Sequence, residues 1–393
     1  MTRPTDKVTL MFAGGGTGGH LFPAVAIAER VVEMLTPART VDVHFVGTRR
    51  GIEFRLKEKL GYELHLIDIR GLVRSFTWRN LLLPFIIMRA LRQATKLITR
   101  IKPDVVVGTG GYVAWPVLRQ AAARKIPTVL QEQNSYPGIT TRKLASQATH
   151  IYLGFEGARR HLPADCQVTV SGNPVRRAIV EGDRADAHRH FGLDPNKNTI
   201  LILGGSQGAR SINEAIMTSI SSGNLPSGSQ LLWQTGKLDH ESICQRLGLD
   251  WSDGKAIAFT DRMDLAYAAA DLAIARAGAI TIAELQACTL PAILIPYPFA
   301  AGDHQRKNAN EYASTGVAKV INQDDLEQTD ILKLASEIFA ENEITEMSTR
   351  LRAIQSDPDA LDIIARGIID LIDNQRSTGG SSDSRNSGQS GTC

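Results

Sequence analysis

The sequence predicts an α/β protein of two Rossmann-like domains, each built on a parallel sheet. Three observations predict it. Short β-branched runs alternate with helical stretches along the chain, a glycine-rich turn follows the first run, and a second such turn restarts the pattern near the middle. At 393 residues the chain is long enough for two domains.

The first series places strands at 8–12, 41–46, 64–67, 105–107, 128–130 and 151–153. The turn-rich Ser171-Gly172-Asn173-Pro174 marks a boundary, which gives an N-terminal domain over 1–172 and a C-terminal domain over 173–356. The second series places strands at 199–203, 230–234, 256–259, 272–275 and 292–295. Asp357-Pro358-Asp359 ends it, and 360–372 reads as a last helix within a segment 357–375. Residues 376–393 are rich in Ser and Gly without apolar periodicity, and are expected to form a disordered tail.

Four cysteines stand far apart with no CxxC pair, which speaks against a disulfide framework or a zinc site and for a reducing compartment. The chain opens without a basic segment followed by a secretory apolar stretch, and no apolar run reaches the roughly 20 residues of a membrane span. A cytoplasmic protein is expected. The net charge of +3 conceals an asymmetry: residues 70–102 carry eight basic side chains and no acid, so the remainder is net negative. One local anionic partner surface fits this better than general nucleic-acid affinity.

Gly14-Gly15-Gly16-Thr17-Gly18-Gly19-His20 lies between the first strand and a helical segment over 25–35. Glycines let backbone N–H groups approach an anion, a helix N-terminus adds partial positive charge, and His20 titrates near neutral pH. Gly14, Gly16 and Gly19 satisfy the dinucleotide fingerprint, but the next strand ends Phe45-Val46-Gly47-Thr48-Arg49-Arg50 without the carboxylate that would hold a ribose. The second loop, Gly204-Gly205-Ser206-Gln207-Gly208, is a diphosphate cradle without the Lys-Ser/Thr ending of a P-loop.

Three more loops follow strands, where open α/β sheets place ligands. Arg276 precedes a small-residue helix start at Ala279-Ile280, with Glu284 in its early turns, placed either to bind ribose hydroxyls or only to favour the helix dipole. Gly108-Thr109-Gly110-Gly111-Tyr112 and Gln131-Glu132-Gln133-Asn134 end strands of the first half. Glu132 is either a base or a buried partner for a loop amide, and Asn134 suits a sugar hydrogen bond. In the basic window, Arg89, Arg92, Lys96 and Arg100 share one helix face, preceded by Trp78, Leu82, Phe85 and Ile86. That run is either a buried helix with a solvated basic face or an interfacial segment against anionic lipid; the lack of acids favours the second.

In their shared order, the segments GGGTGGHLFPA, GTGGYV, QEQN, SGNPVR, LGGSQGAR, ARAGAITIAEL and DHQRKNA resemble the MurG family over residues 8–372. The family transfers N-acetylglucosamine from UDP-N-acetylglucosamine to undecaprenyl-diphosphate-linked N-acetylmuramoyl-pentapeptide, lipid I, to give lipid II. The resemblance implies a GT-B fold, two Rossmann-like domains facing across a cleft, with the last helix crossing back to the N-terminal domain. It implies that Ser206 and Gln207 lie by the donor diphosphate with Arg276, Ala279 and Ile280, and that Thr260 lies near the uracil. Glu284 would hold the ribose and Gln305 the sugar, with Thr17, Gly18, Gly19, Asn134 and Arg176 completing the donor site. Gly14, Gly15, Gly16, Gly110, Gly111 and Tyr112 would take the acceptor diphosphate. Gln131 stands where many members have His.

The chemistry so implied is one displacement at the sugar C1, with inversion to a β(1→4) link. His20 is the leading base, Glu132 the alternative. Loop N–H groups and Arg276 suffice for the leaving UDP, so no metal and no cofactor is expected. The expected location is peripheral, on the cytoplasmic face of the plasma membrane, with UDP-N-acetylglucosamine, lipid I and an anionic membrane surface as partners and no nucleic acid. The rival readings are a diacylglycerol glycosyltransferase of the same family, a UDP-N-acetylglucosamine 2-epimerase, and a non-catalytic nucleotide-sugar-binding scaffold.

Overall fold

The computed structural model describes residues 7–36, 38–70, 83–205, 208–340, 342–355 and 359–380. Over these residues the chain forms two compact units. One is drawn from Met1–Gln133, Pro137–Pro174 and Pro358–Cys393, the other from Asn134–Tyr136 and Val175–Asp357.

The first unit holds seven strands: β1 (Lys7–Gly14), β2 (Thr40–Gly47), β3 (Glu63–Leu66), β4 (Val105–Gly110), β5 (Thr128–Glu132), β6 (His150–Leu153) and β7 (Val168–Val170). They form one parallel sheet in the order β3-β2-β1-β4-β5-β6-β7. Alternate residues of β1 go to opposite faces, and both faces are covered, which is why the strand reads as a continuous apolar run. Val8, Leu10 and Phe12 pack with the Gly18–Leu35 helix and with Ile364, Ala365, Ile368 and Ile372 of the C-terminal helix. Met11 and Ala13 pack on the other side with Ala94 and Ile98 of the Leu83–Ile101 helix and Val113 and Val117 of the Gly111–Ala122 helix.

The C-terminal helix, Ala360–Gly380, is part of this unit. Asp362 accepts from Arg30 Nε at 2.6 Å, both side chains being largely buried. Gly367 allows the contact with the sheet, since a Cβ there would sit 1.7 Å from the Tyr152 hydroxyl. The helix runs past 375, where the tail was expected to begin, because Arg376 donates to the Lys7 carbonyl at 2.5 Å and pairs with Asp104 at 3.3 Å.

The second unit holds β8 (Asn198–Leu203), β9 (Ser229–Gln234), β10 (Gly254–Ile257), β11 (Leu272–Ala275), β12 (Ala292–Leu294) and β13 (Ala318–Val320), parallel in the order β10-β9-β8-β11-β12-β13. Ile200, Ile202, Trp233 and Ile274 pack with Ile212 and Ile216 of the Arg210–Ser221 helix and with Ile331 and Ala335 of the Ile331–Ala340 helix. β7 and β13 are three-residue edge strands, too short to show a period in sequence. β10 lies two residues before its expected position because Gly254–Ile257 pair with Leu231–Gln234, while Phe259 turns outward.

Candidate active site

β1 and β4 are neighbours, and both run into glycine loops. Their register shifts between Ala13 and Gly14, so that Gly14 faces Gly110 where the two loops begin. The loops need glycine because they touch. A Cβ on Gly14 would sit 1.8 Å from Thr109 Oγ1, and one on Gly110 would sit 2.7 Å from the His20 ring. Gly110 also holds φ at +104°, a conformation that favours glycine.

The helix after the first loop begins at Gly18, not near residue 25, so Thr17 takes the N-cap position and His20 lies in the first turn. The Gly-Gly pair and Pro23 disguise this start in the sequence. Thr109 Oγ1 donates to the His20 carbonyl at 2.7 Å, and Thr17 Oγ1 lies 3.1 Å from His20 Nδ1. When Nδ1–H donates to that hydroxyl, Nε2 keeps its lone pair and can accept a proton.

A residue absent from the sequence reading lies under this loop. Glu53 is 1% exposed. Its Oε2 accepts the Gly16 N–H at 2.8 Å, and its Oε1 accepts the Thr48 N–H at 2.8 Å and the Thr48 hydroxyl at 3.3 Å. Gly15, Gly47 and Gly51 make the room, since a Cβ on any of them would collide with the carboxyl group. Thr48 Oγ1 lies 3.4 Å from the Tyr112 hydroxyl, tying the second loop to the same cluster. The Gly16 N–H, expected to face an acceptor phosphate, thus already serves an internal carboxylate. The signal was a carboxylate shortly after β2, flanked by glycines, beyond the position where a ribose-binding acid would stand.

Glu132 is 3% exposed. Its Oε2 accepts the Gly138 N–H at 2.9 Å and the Thr141 hydroxyl at 2.5 Å, the geometry of the loop-holding alternative. Gln131 and Gln133 are buried beside it: Gln133 donates to the Thr109 carbonyl at 2.7 Å, and Gln131 donates to Asn173 Oδ1 at 2.9 Å. Asn173 Nδ2 returns a bond to the Gln133 carbonyl at 2.9 Å, so Gly108–Tyr112, Gln131–Gln133 and Asn173 form one polar framework.

In the second unit, Gly205 and Gly208 both have positive φ, and Gly208 lies against the Thr235 carbonyl, where a Cβ would be 2.3 Å away. Ser206 and Gln207 lie outside the described residues. Gln234, at the end of β9, was not singled out in the sequence. Its side chain donates to the Gly205 carbonyl at 3.4 Å and accepts the Thr260 N–H at 3.1 Å, joining two segments expected at the donor.

Arg276 follows β11. Its guanidinium donates to Ser211 Oγ at 2.8 Å, Gln323 Oε1 at 2.6 Å, and the Ile295 and Pro296 carbonyls at 3.2 and 3.3 Å. Every one of these acceptors is neutral, and no carboxylate among the described residues pairs with it. Burial pulls its pKa down, the expected effect on a cation without a counterion. Ala279 and Ile280 open the helix Ala279–Ala287, whose N-cap Gly278 supplies no side chain to the first N–H groups. Glu284, on that helix, accepts from the Tyr267 hydroxyl at 2.8 Å. Burial pushes its carboxyl above the usual range, against the opposing pull of the Tyr267 bond and the Arg176 charge.

Gln305 Oε1 accepts the Tyr297 N–H at 2.9 Å. Asn134 belongs to this unit and accepts from the buried Asn308 at 3.2 Å, while Arg176 is exposed. Thr17, Gly18 and Gly19 belong to the first unit, at the helix N-terminus beside His20.

On the Leu83–Ile101 helix, Ala90, Ala94 and Ile98 are buried. Phe85 is 67% exposed, and Arg89, Arg92 and Lys96 share its face. Ile86 is half-buried, and Trp78 and Leu82 lie outside the described residues. Arg89 pairs with Asp68 at 2.7 Å, an acid just before the basic window. No helix among the described residues is long and apolar enough to cross a membrane.

Residues 10–153 match the glycosyltransferase family 28 N-terminal domain, and residues 199–363 match the glycosyltransferase family 28 C-terminal domain. A UDP-N-acetylglucosamine–N-acetylmuramyl-(pentapeptide) pyrophosphoryl-undecaprenol N-acetylglucosamine transferase of Chlorobium luteolum is 41% identical over 373 residues, 93% of this chain and 100% of the relative. The protein of that name from Prosthecochloris aestuarii is 45% identical over 321 residues, 80% of this chain and 85% of the relative. The crystal structure of Acinetobacter baumannii MurG matches with a TM-score of 0.72 at 29% identity, covering 94% of this chain and 99% of that one. The UDP-GlcNAc 2-epimerase of Neisseria meningitidis, at 14% identity and a TM-score of 0.64 over 93% of this chain and 99% of its own, shares the fold. With its two parallel α/β units of the GT-B type and both matched domains, the chain belongs to glycosyltransferase family 28, and within it to the MurG family.

Proposed function

We infer that this protein is an inverting N-acetylglucosaminyltransferase, which moves the sugar of UDP-N-acetylglucosamine to the 4-hydroxyl of lipid I and forms the β(1→4) link of lipid II. The observation that carries the donor half is Arg276. A guanidinium fixed by four neutral acceptors beside a glycine loop keeps its charge for an external anion, and a leaving nucleoside diphosphate supplies one. Backbone N–H groups at the Ala279–Ala287 helix start share that load. Glu284 holds the ribose hydroxyls, Thr260 and its loop meet the uracil, and Gln305 meets the sugar, with Asn134 and Arg176 at its margin.

In the acceptor half, His20 Nε2 takes the proton of the attacking hydroxyl. Gly14–Gly16 and Gly110–Tyr112 shape the surface for the acceptor diphosphate, with Glu53 setting the first loop. Glu132 positions Gly138 and Thr141 rather than reacting. The face bearing Phe85, Arg89, Arg92 and Lys96 rests on anionic lipid at the cytoplasmic side of the plasma membrane, which brings the site to a lipid-linked acceptor.

The test is the product. Purified protein given UDP-N-acetylglucosamine and lipid I is expected to yield a β-linked disaccharide on the lipid, read by nuclear magnetic resonance. An α-linked product would contradict the single displacement, and free epimerised nucleotide sugar without transfer would make the protein an isomerase.

A further inference from the structure

The sequence offers no metal-ligand spacing, but the pairing of β2 with β3 assembles one. His44 stands opposite Glu63 in the register, and Val46 opposite His65, so His44, Glu63 and His65 converge on one face of the sheet. We propose that His44, Glu63 and His65 form a binding site for a divalent transition-metal ion of the zinc class, apart from the glycosyl-transfer machinery.

His44 Nδ1 and His65 Nε2 face each other at 3.0 Å. Glu63 Oε2 lies 3.3 Å from His44 Nδ1, and Glu63 Oε1 lies 3.6 Å from His65 Nε2. A tetrahedral ion with bonds of ~2.0–2.1 Å sets its donor atoms about 3.3 Å apart. One donor atom from each of the three residues lies within 4.8 Å of the other two, close to that spacing. Two neutral imidazoles and a carboxylate are the donor set that zinc takes, with water left for the fourth position.

The surroundings support the same reading. Both histidines are 8% exposed, while the Glu63 side chain is mostly exposed and leaves a way in from solvent. Asp42 Oδ2 lies 3.2 Å from His44 Nε2, so a carboxylate holds the outer nitrogen and aims Nδ1 inward. One neighbour opposes the ion. Arg100, from the Leu83–Ile101 helix, approaches His65 Nδ1 at 3.2 Å. It donates there, and so competes with the Nδ1–H tautomer in which Nε2 ligates.

Chelator-treated protein titrated with Zn²⁺ by calorimetry should bind at this site with one ion per chain. Glu63→Gln, a change at an exposed side chain, should weaken that binding by about tenfold or more, and His65→Ala should abolish it. Arg100→Ala should tighten it, because it removes the competing donor. Zn²⁺ should also raise the Tm of the wild type and leave that of His44→Ala unchanged. Absence of binding by the folded wild type, or affinity unaltered in both Glu63→Gln and His65→Ala, would overturn the proposal and leave a hydrogen-bonded histidine pair only.

Discussion

Glu53 reaches beneath the first glycine loop and takes the Gly16 N–H at 2.8 Å, so the loop's shape depends on a carboxylate donated by the segment after β2. With the Thr48 N–H on its other oxygen, Glu53 links the ends of β1 and β2. Glu53→Ala strands one buried and one half-buried N–H group and empties a filled space. It should lower stability by about 2–4 kcal/mol. Denaturant titration would measure this, and acceptor KM should rise more than donor KM. A variant of wild-type stability would show that the loop holds itself.

His20→Ala should lower kcat by about 10²–10⁴, the usual range for loss of a positioned base, with donor KM little changed. Steady-state kinetics on both substrates decides it. Since the ring also fills space against Gly110, His20→Gln provides the control for packing. A kcat near wild type in either variant would remove His20 from proton transfer.

The elevated Glu284 carboxyl gives donor binding a pH dependence. With Glu284 holding the ribose hydroxyls as proposed, donor affinity should be full above the raised pKa and decline as pH falls through it, at a pH above that of an ordinary glutamate. The stability effect has the opposite sign: a group that binds its proton more tightly when folded adds stability below its unfolded pKa and loses it as pH rises through the folded one. Tyr267→Phe removes the bond that pulls the carboxyl down, and should move the midpoint of a donor KM–pH profile upward. An unmoved midpoint would mean that another group controls the profile.

The face proposed to meet lipid has unequal cations. Arg89 is already paired with Asp68, whereas Arg92 has no such pairing among the described salt bridges. Charge reversal at Arg92 should therefore reduce binding to anionic vesicles more than reversal at Arg89, by about tenfold for the former. Co-sedimentation at fixed salt measures it, and binding indifferent to both changes would return this face to plain solvent exposure.

The sequence made much of this architecture legible because both faces of the sheets are covered. Val8–Phe12 and Thr199–Leu203 are apolar at nearly every position, so they read as strands without any alternation to follow. Edge strands such as Val168–Val170 carry no comparable signal, and the helix start at Gly18 is masked by residues that usually mark loops. Candidate site residues carried on a single loop, such as His20 and Arg276, can be picked out from local sequence. Those acting across the fold were not. Glu53 matters because β2 lies beside β1, and Gln234 because β9 lies beside β8, adjacencies that no local pattern reveals. The same holds for His44 and His65, joined only by strand register.

Acceptor choice tests the whole account most directly. Purified protein would receive labelled UDP-N-acetylglucosamine with lipid I, with diacylglycerol, or with no acceptor, and label in the lipid fraction would be counted over time. Transfer to lipid I is expected, with stoichiometric release of UDP and no label on diacylglycerol. Label on diacylglycerol at a comparable rate, or release of UDP independent of lipid I, would contradict it.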